Sequence, residues 1–182
     1  MSYWATRGLR GDAFEELINL ANERYRTAGL ALVQKIPTPI KPVELDQQRG
    51  NIKKAYFEKR STVDYIGVVQ GIPICFDAKE CNKPTFPLQN IHEHQVKFME
   101  DFESQDGIAF MVIYFSDTDE YYYSPFKEIK KYWTRAVNGG RKSIKREEFT
   151  EGYYLDITGK TTVPYLEGLK EDLEERDSHL TF

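Results

Sequence analysis

The chain has 182 residues, 40% of them hydrophobic and 14% aromatic, with a net charge of −4. This suits a single domain with a substantial core and excludes a disordered chain. The first twenty residues hold Arg7, Arg10, Asp12, Glu15 and Glu16, and no apolar run approaches eighteen residues, so neither a signal peptide nor a membrane span is expected.

In residues 12–27, Phe14, Leu17, Ile18, Ala21 and Tyr25 form one helical stripe, with Asp12 placed to cap the start and Gly29 to follow the end. Leu30 to Ile36 reads as a short strand closed by Pro37-Thr38-Pro39. The polar, basic stretch from Ile40 to Arg60 is weakly periodic and predicts an excursion from the body, with a short helix over Asn51 to Glu58. Val63 to Ala78 predicts a hairpin turning at Gln70-Gly71. Cys75 falls in this hairpin and Cys81 beyond its end. Two cysteines support neither a disulfide scaffold nor a zinc cluster, and a reducing cytoplasm is expected.

Asn82 to Asn90 reads as a loop, and His92 to Glu103 as a helix burying Val96, Met99 and Phe102. Ile108 to Phe115 is the clearest core strand, and a return at Asp117-Thr118-Asp119 leads to Tyr121-Tyr122-Tyr123. Pro125 opens a helix carrying Phe126, Ile129 and Trp133, which ends at Asn138-Gly139-Gly140. A last helix is expected from Pro164 to Arg176. The order predicts an α/β fold with a mixed central sheet flanked by helices.

The hairpin carries the chemistry. With Gln70-Gly71 as the turn, Val69 pairs with Ile72, and counting outward sets Asp64 opposite Asp77. Opposed residues share a face, and Lys79 follows Asp77 with the strand period of two. Two carboxylates and an ammonium therefore converge. Phosphodiester hydrolysis needs a nucleophilic water and relief of charge on the phosphoryl oxygens; magnesium, or manganese, held by Asp64 and Asp77 suits both needs. The Ala78 carbonyl is a further candidate ligand, and Lys79 can orient or deprotonate the water or stabilise developing charge. An Asp-Ala-Lys run alone is more often a plain strand face, and the opposed Asp64 raises its weight. Glu80 points to the other face and reads as a surface group. Glu15, on the first helix, reads alone as a surface glutamate but can reach across the sheet. Gln95, at the start of the helix after the site, can hold a water or a phosphate. His92 and His94 diverge on a helix and do not make a zinc site.

Charge is unevenly placed. Lys130 to Arg146 holds seven basic residues and no acid, Arg49 to Arg60 holds five with only Glu58 against them, and Glu167 to Asp177 holds six acids and two bases. Local field decides phosphate binding, so Arg49, Lys53, Lys54, Arg60, Arg141, Lys142 and Lys145 are candidate contacts to nucleic-acid phosphates. The alternative is solvated helix ends, whose dipoles also favour Lys and Arg.

Together these residues resemble the RecU family of Holliday junction resolvases, within the PD-(D/E)XK nucleases. The matching blocks are Arg10-Gly11 with Glu15, Lys35-Ile36-Pro37-Thr38-Pro39, Ala55-Tyr56-Phe57, Ser61-Thr62-Val63-Asp64-Tyr65, Phe76-Asp77-Ala78-Lys79-Glu80, Phe86-Pro87-Leu88-Gln89-Asn90 with His94-Gln95, Gln105-Asp106-Gly107 and Gly140-Arg141-Lys142-Ser143-Ile144. The resemblance implies a restriction-endonuclease-like fold: one nuclease domain over 1–182 with a stalk at about 40–60. It implies a magnesium-dependent homodimer that binds four-way DNA and nicks two strands symmetrically, in recombination and repair, with a RecA-type recombinase as a further partner. Asp64 and Asp77 would ligate the metal, Lys79 would serve in catalysis, Glu15 and Gln95 would support the site, and Arg10 would join the DNA contacts. Another structure-selective nuclease of the superfamily and a non-catalytic junction-binding protein are the alternatives. Three departures stand out: Asp77 replaces the family's usual glutamate, Val63 stands where a threonine is frequent, and the stalk is slightly shorter between Arg49 and Ile52.

Overall fold

The computed structural model describes residues 5–46, 48–57 and 62–179. A six-stranded mixed sheet forms its centre, in the order β1 (Ala31–Lys35), β4 (Tyr65–Val69), β5 (Ile72–Cys81), β7 (Ile108–Phe115), β8 (Glu120–Pro125) and β10 (Tyr154–Leu155). Only β5 and β7 run parallel; the other neighbours are antiparallel. This is the expected mixed sheet of the restriction-endonuclease-like class, flanked by helices α1 (Ala5–Thr27), α2 (Glu93–Glu103), α3 (Phe126–Val137) and α4 (Tyr165–His179).

Strand alternation sorts the core into two halves. Phe14 and Ile18 of α1 and Tyr165 and Leu169 of α4 pack with Tyr65, Phe76, Phe110 and Tyr123 of the sheet. Across four strands these sheet rings stack at centroid spacings of 4.7, 4.7 and 4.3 Å, a rigid floor under the strand ends. The other half joins Val96 and Met99 of α2 and Phe126 and Ile129 of α3 to Val63, Met111, Ile113 and Phe115. On β5, Cys75, Asp77, Lys79 and Cys81 share the parity of this second half.

The hairpin has the expected register, Val69↔Ile72 through Tyr65↔Phe76. Gln70 and Gly71 both have positive φ, 48° and 91°, the turn whose twist matches two antiparallel strands. Cys81 is the last residue of β5 rather than beyond it, and both cysteines are free.

Four features depart from the sequence reading or were absent from it. First, α1 begins at Ala5, so Asp12 lies inside the helix and does not cap it. Second, the segment expected to be irregular with a short helix forms a two-stranded ribbon of β2 (Ile40–Asp46) and β3 (Asn51–Phe57). Lysines among Ile52, Ala55 and Tyr56 hide the strand pattern there. Third, the loop before α2 contains β6 (Thr85–Pro87), which pairs with β9 (Ser143–Lys145). Fourth, β10 adds a sheet strand too short for any sequence pattern to reveal. Among the described residues, no helix is long and apolar enough to cross a membrane.

Candidate active site

β4 begins at Tyr65, opposite Phe76, while β5 continues for five residues past Phe76, leaving one of its edges open there. Asp64 occupies this step. Its carbonyl accepts the Ile36 N–H at 2.8 Å, and its own N–H donates to Asp77 Oδ1 at 2.9 Å. Its Oδ2 accepts the Ala78 N–H at 3.2 Å. A strand residue's N–H and C=O point to the same edge, so the Ala78 carbonyl also faces the step.

Asp77 is wholly buried, and burial without partners would be costly for a carboxylate. Three donors answer it: the Asp64 N–H on Oδ1, and on Oδ2 both Gln95 Nε2, at 2.7 Å, and the Lys79 ammonium. Gln95 is itself oriented, because its Oε1 accepts the His92 N–H at 3.0 Å and so aims its NH2 at Asp77. Lys79 Nζ also lies 3.6 Å from Asp64 Oδ2. The structure thus brings Asp64, Asp77, Lys79 and Gln95 together.

Burial pushes the Asp77 carboxyl up to about 7; Lys79 pulls it down, and Asp64 adds to the rise. For Lys79, burial works against the charged form, but Asp77 and Asp64 outweigh it and hold the ammonium above its ordinary value. Tyr65 is raised by burial and then by Glu15, Asp64 and Asp77, which flank it.

Glu15 is not among the groups touching Asp77. It ion-pairs with Lys35, at the end of β1, on the α1 side of the sheet. Lys35 lies in one of the blocks that carry the family resemblance, which assigned it no role, and nothing in the sequence pointed to the His92 and Ile36 N–H groups. Glu80 sits near Tyr114 and Tyr121.

Among the described residues, no group of three or more His, Cys, Asp and Glu side chains is placed to hold a metal ion. Magnesium, however, is commonly held by one or two carboxylates plus waters and substrate oxygens. Asp64, Asp77 and the Ala78 carbonyl supply hard oxygen donors of that kind, so the donor set fits such an ion.

The candidate DNA contacts divide. Arg49 is exposed at the ribbon turn, where Asp46 Oδ1 accepts the Gln48 and Arg49 N–H groups. Lys53 lies 4.0 Å from Glu44, and Lys54 lies over the Tyr56 ring. The side chain of Arg10 and all of Arg60 lie outside the described residues. The stretch expected to be uncompensated is largely paired: Lys130 with Glu100, Arg135 and Arg141 with Glu148, Lys145 with Glu147, and Arg146 with Asp117 and Glu120. Lys142 is exposed.

A mixed sheet with two acids and a lysine at an open strand edge defines the PD-(D/E)XK class of nuclease fold. The family model described as "RecU: Recombination protein U" matches residues 9–171, and the chain belongs to that family of nuclease-type enzymes. It is 41% identical over 172 residues to the Holliday junction resolvase RecU of Pediococcus pentosaceus, covering 92% of this chain and 86% of that protein. It is 43% identical over 162 residues to the RecU of Limosilactobacillus reuteri, with coverage of 86% and 79%. For a Bacillus cereus RecU the identity is 44% over 146 residues, with coverage of 78% and 73%. A solved structure of Hjc, a Holliday junction resolvase from Archaeoglobus fulgidus, aligns at a TM-score of 0.48 and 10% identity, covering 83% of this chain and 97% of that one.

Proposed function

We propose that this protein is a magnesium-dependent endodeoxyribonuclease that resolves four-way DNA junctions by paired symmetric nicks. The observation that carries the reading is Asp77, a buried carboxylate set against Asp64 and Lys79 at an open strand edge. The family relatives, named as Holliday junction resolvases, support junction DNA as the substrate.

Asp64, Asp77 and the Ala78 carbonyl would hold the divalent ion, with manganese as the alternative to magnesium. When bound, that ion supplies Lewis acidity toward a phosphoryl oxygen and lowers the pKa of a bound water. Lys79 directs its ammonium to the same place, where it orients the attacking water and offsets charge on the phosphoryl oxygen. Gln95 keeps the Asp77 carboxylate in one rotamer. Glu15, with Lys35, supports the site from the α1 side. The β2–β3 ribbon acts as the stalk, presenting Arg49, Lys53 and Lys54 to backbone phosphates, with Arg10, Arg60, Arg141, Lys142 and Lys145 as further contacts.

One site cuts one strand, so paired nicking requires a homodimer. The reading extends to a single nuclease domain over the whole chain, in the cytoplasm, serving recombination and repair beside a RecA-type recombinase. The test is cleavage of a mobile four-way junction against linear duplex, with and without magnesium. The expected products are paired nicked duplexes, formed only with the metal. Predominant cutting of linear duplex points instead to another nuclease of the superfamily, of restriction type, and junction binding without cutting to a junction-binding protein.

A further inference from the structure

Among the paired cations of the 130–146 stretch, one cluster has cations in excess. Lys130 and Lys145 each meet a carboxylate, and Arg146 meets two. Arg135 and Arg141 share a single acid, Glu148. The backbone brings the two arginines together. Gly139 has φ +86°, and the Gly140 N–H donates to the Arg135 carbonyl at 2.9 Å. A Cβ at Gly140 would stand 2.7 Å from Arg135 Cγ and 2.8 Å from its carbonyl oxygen, so only glycine lets the chain fold back there. Both guanidiniums then donate to the Ser143 carbonyl, Arg135 at 2.6 Å and Arg141 at 3.1 Å.

Glu148 fills the space between them. Its Oε1 accepts Arg135 at 2.9 Å, while Oε2 accepts Arg141 and the Lys145 N–H, the latter at 2.7 Å. Two guanidiniums and a backbone N–H aimed at one oxyanion group form the donor set that also recognises a phosphate. Arg135 Nε is buried without a hydrogen-bond partner among the described residues, although its guanidinium lies 4.6 Å from the Tyr132 ring centroid. Two positive charges against one negative leave an excess of one, beside the exposed Lys142.

The cluster also belongs to the half of the molecule that lies on the Asp77 side of the sheet, through Tyr132, Ile144 and Phe149. The Lys142 carbonyl accepts the Leu88 N–H at 3.1 Å, and the turn Leu88–Asn90 leads into the start of α2, where Gln95 reaches Asp77.

We propose that Arg135, Arg141 and the Lys145 N–H form a binding cradle for a DNA backbone phosphate, and that Glu148 occupies it as an internal competitor. This rests on the reading that the protein binds DNA with this face. The competing carboxylate weakens sequence-independent binding, so that plain duplex gains little from the cradle. A junction that presses its backbone there displaces the glutamate.

The experiment measures junction and linear-duplex affinity across a salt series for wild type, Glu148→Gln, Arg141→Gln and the double variant, with folding checked by circular dichroism. Each phosphate contact contributes about 0.9 to the slope of log affinity against log salt, on the order of eightfold in affinity at 0.1 M salt. E148Q is expected to strengthen duplex binding by up to that factor, and the gain is expected to vanish in the double variant. R141Q is expected to lower the junction salt slope by about 0.9. Unchanged affinity in folded E148Q, even with reduced melting temperature, overturns the cradle and leaves a purely structural ion cluster. If E148Q fails to fold, an unchanged salt slope in R141Q overturns it alone. Wild-type protein that binds neither DNA overturns the functional reading itself.

Discussion

Replacing Gln95 by alanine removes the one side-chain amide that holds Asp77. The hydrogen bond is 2.7 Å long and buried, and Asp77 would keep only the Asp64 N–H and Lys79. Loss of a hydrogen bond to a charged group costs ~1.5–3 kcal/mol. For a chain of this length that lowers the melting temperature by roughly 3–12 °C. The functional effect is separable. A group that orients a metal-binding carboxylate is worth about 10–100-fold in metal affinity or activity. Junction cleavage by Q95A, titrated with magnesium, should therefore show its half-maximal magnesium concentration raised by that order, while the rate at saturating metal falls less. Gln95→Glu places a second carboxylate against Asp77 and should be the more damaging change. A magnesium dependence identical to wild type in folded Q95A would refute the positioning role.

Two other outcomes follow from local geometry. Gly168 lies on α4, where alanine would normally strengthen the helix, yet its Cβ would stand 2.4 Å from Tyr123 Cβ and 2.5 Å from Cγ. Overpacking of this kind costs ~1–3 kcal/mol and outweighs the propensity gain. G168A should therefore melt lower than wild type in thermal denaturation, and an equal or higher value would show that α4 can shift. Glu148 gives a pH signature. Partial burial raises its carboxyl, but the Lys145 N–H, Arg135 and Arg141 outweigh that and lower it to about 2 from 4.5. A depressed carboxyl stabilises the fold fully above pH 4.5 and loses that contribution as pH falls toward 2. The melting-temperature gap between wild type and E148Q should be wide at pH 6 and close on acidification; a constant gap would contradict the assignment.

The site was legible where its logic is local. Gln70-Gly71 specified a tight turn, the turn specified the register, and the register carried Asp64 to Asp77 and Lys79 to the same face. The ribbon at 40–57 was missed because it packs so little of itself: Leu45 is 59% exposed and Ile52 46% exposed, so burial leaves no alternating pattern. The pairing of the basic stretch was hidden for a different reason. Glu100 lies thirty residues before Lys130 and Asp117 twenty-nine before Arg146, whereas Glu147 and Glu148 begin one residue after the basic run ends. Folding, not spacing, brings these acids to the cations. Lys35 likewise gains its partner Glu15 only when α1 lies against β1.

The most direct test of the account is junction cleavage and junction binding by Asp77→Asn, measured side by side with magnesium present. Asparagine keeps the shape and can still accept the Asp64 N–H, but it lacks the charge an ion requires. The account predicts that magnesium-dependent cleavage is lost while junction affinity stays close to wild type. Cleavage at the wild-type rate would contradict the assignment of this carboxylate to the catalytic centre.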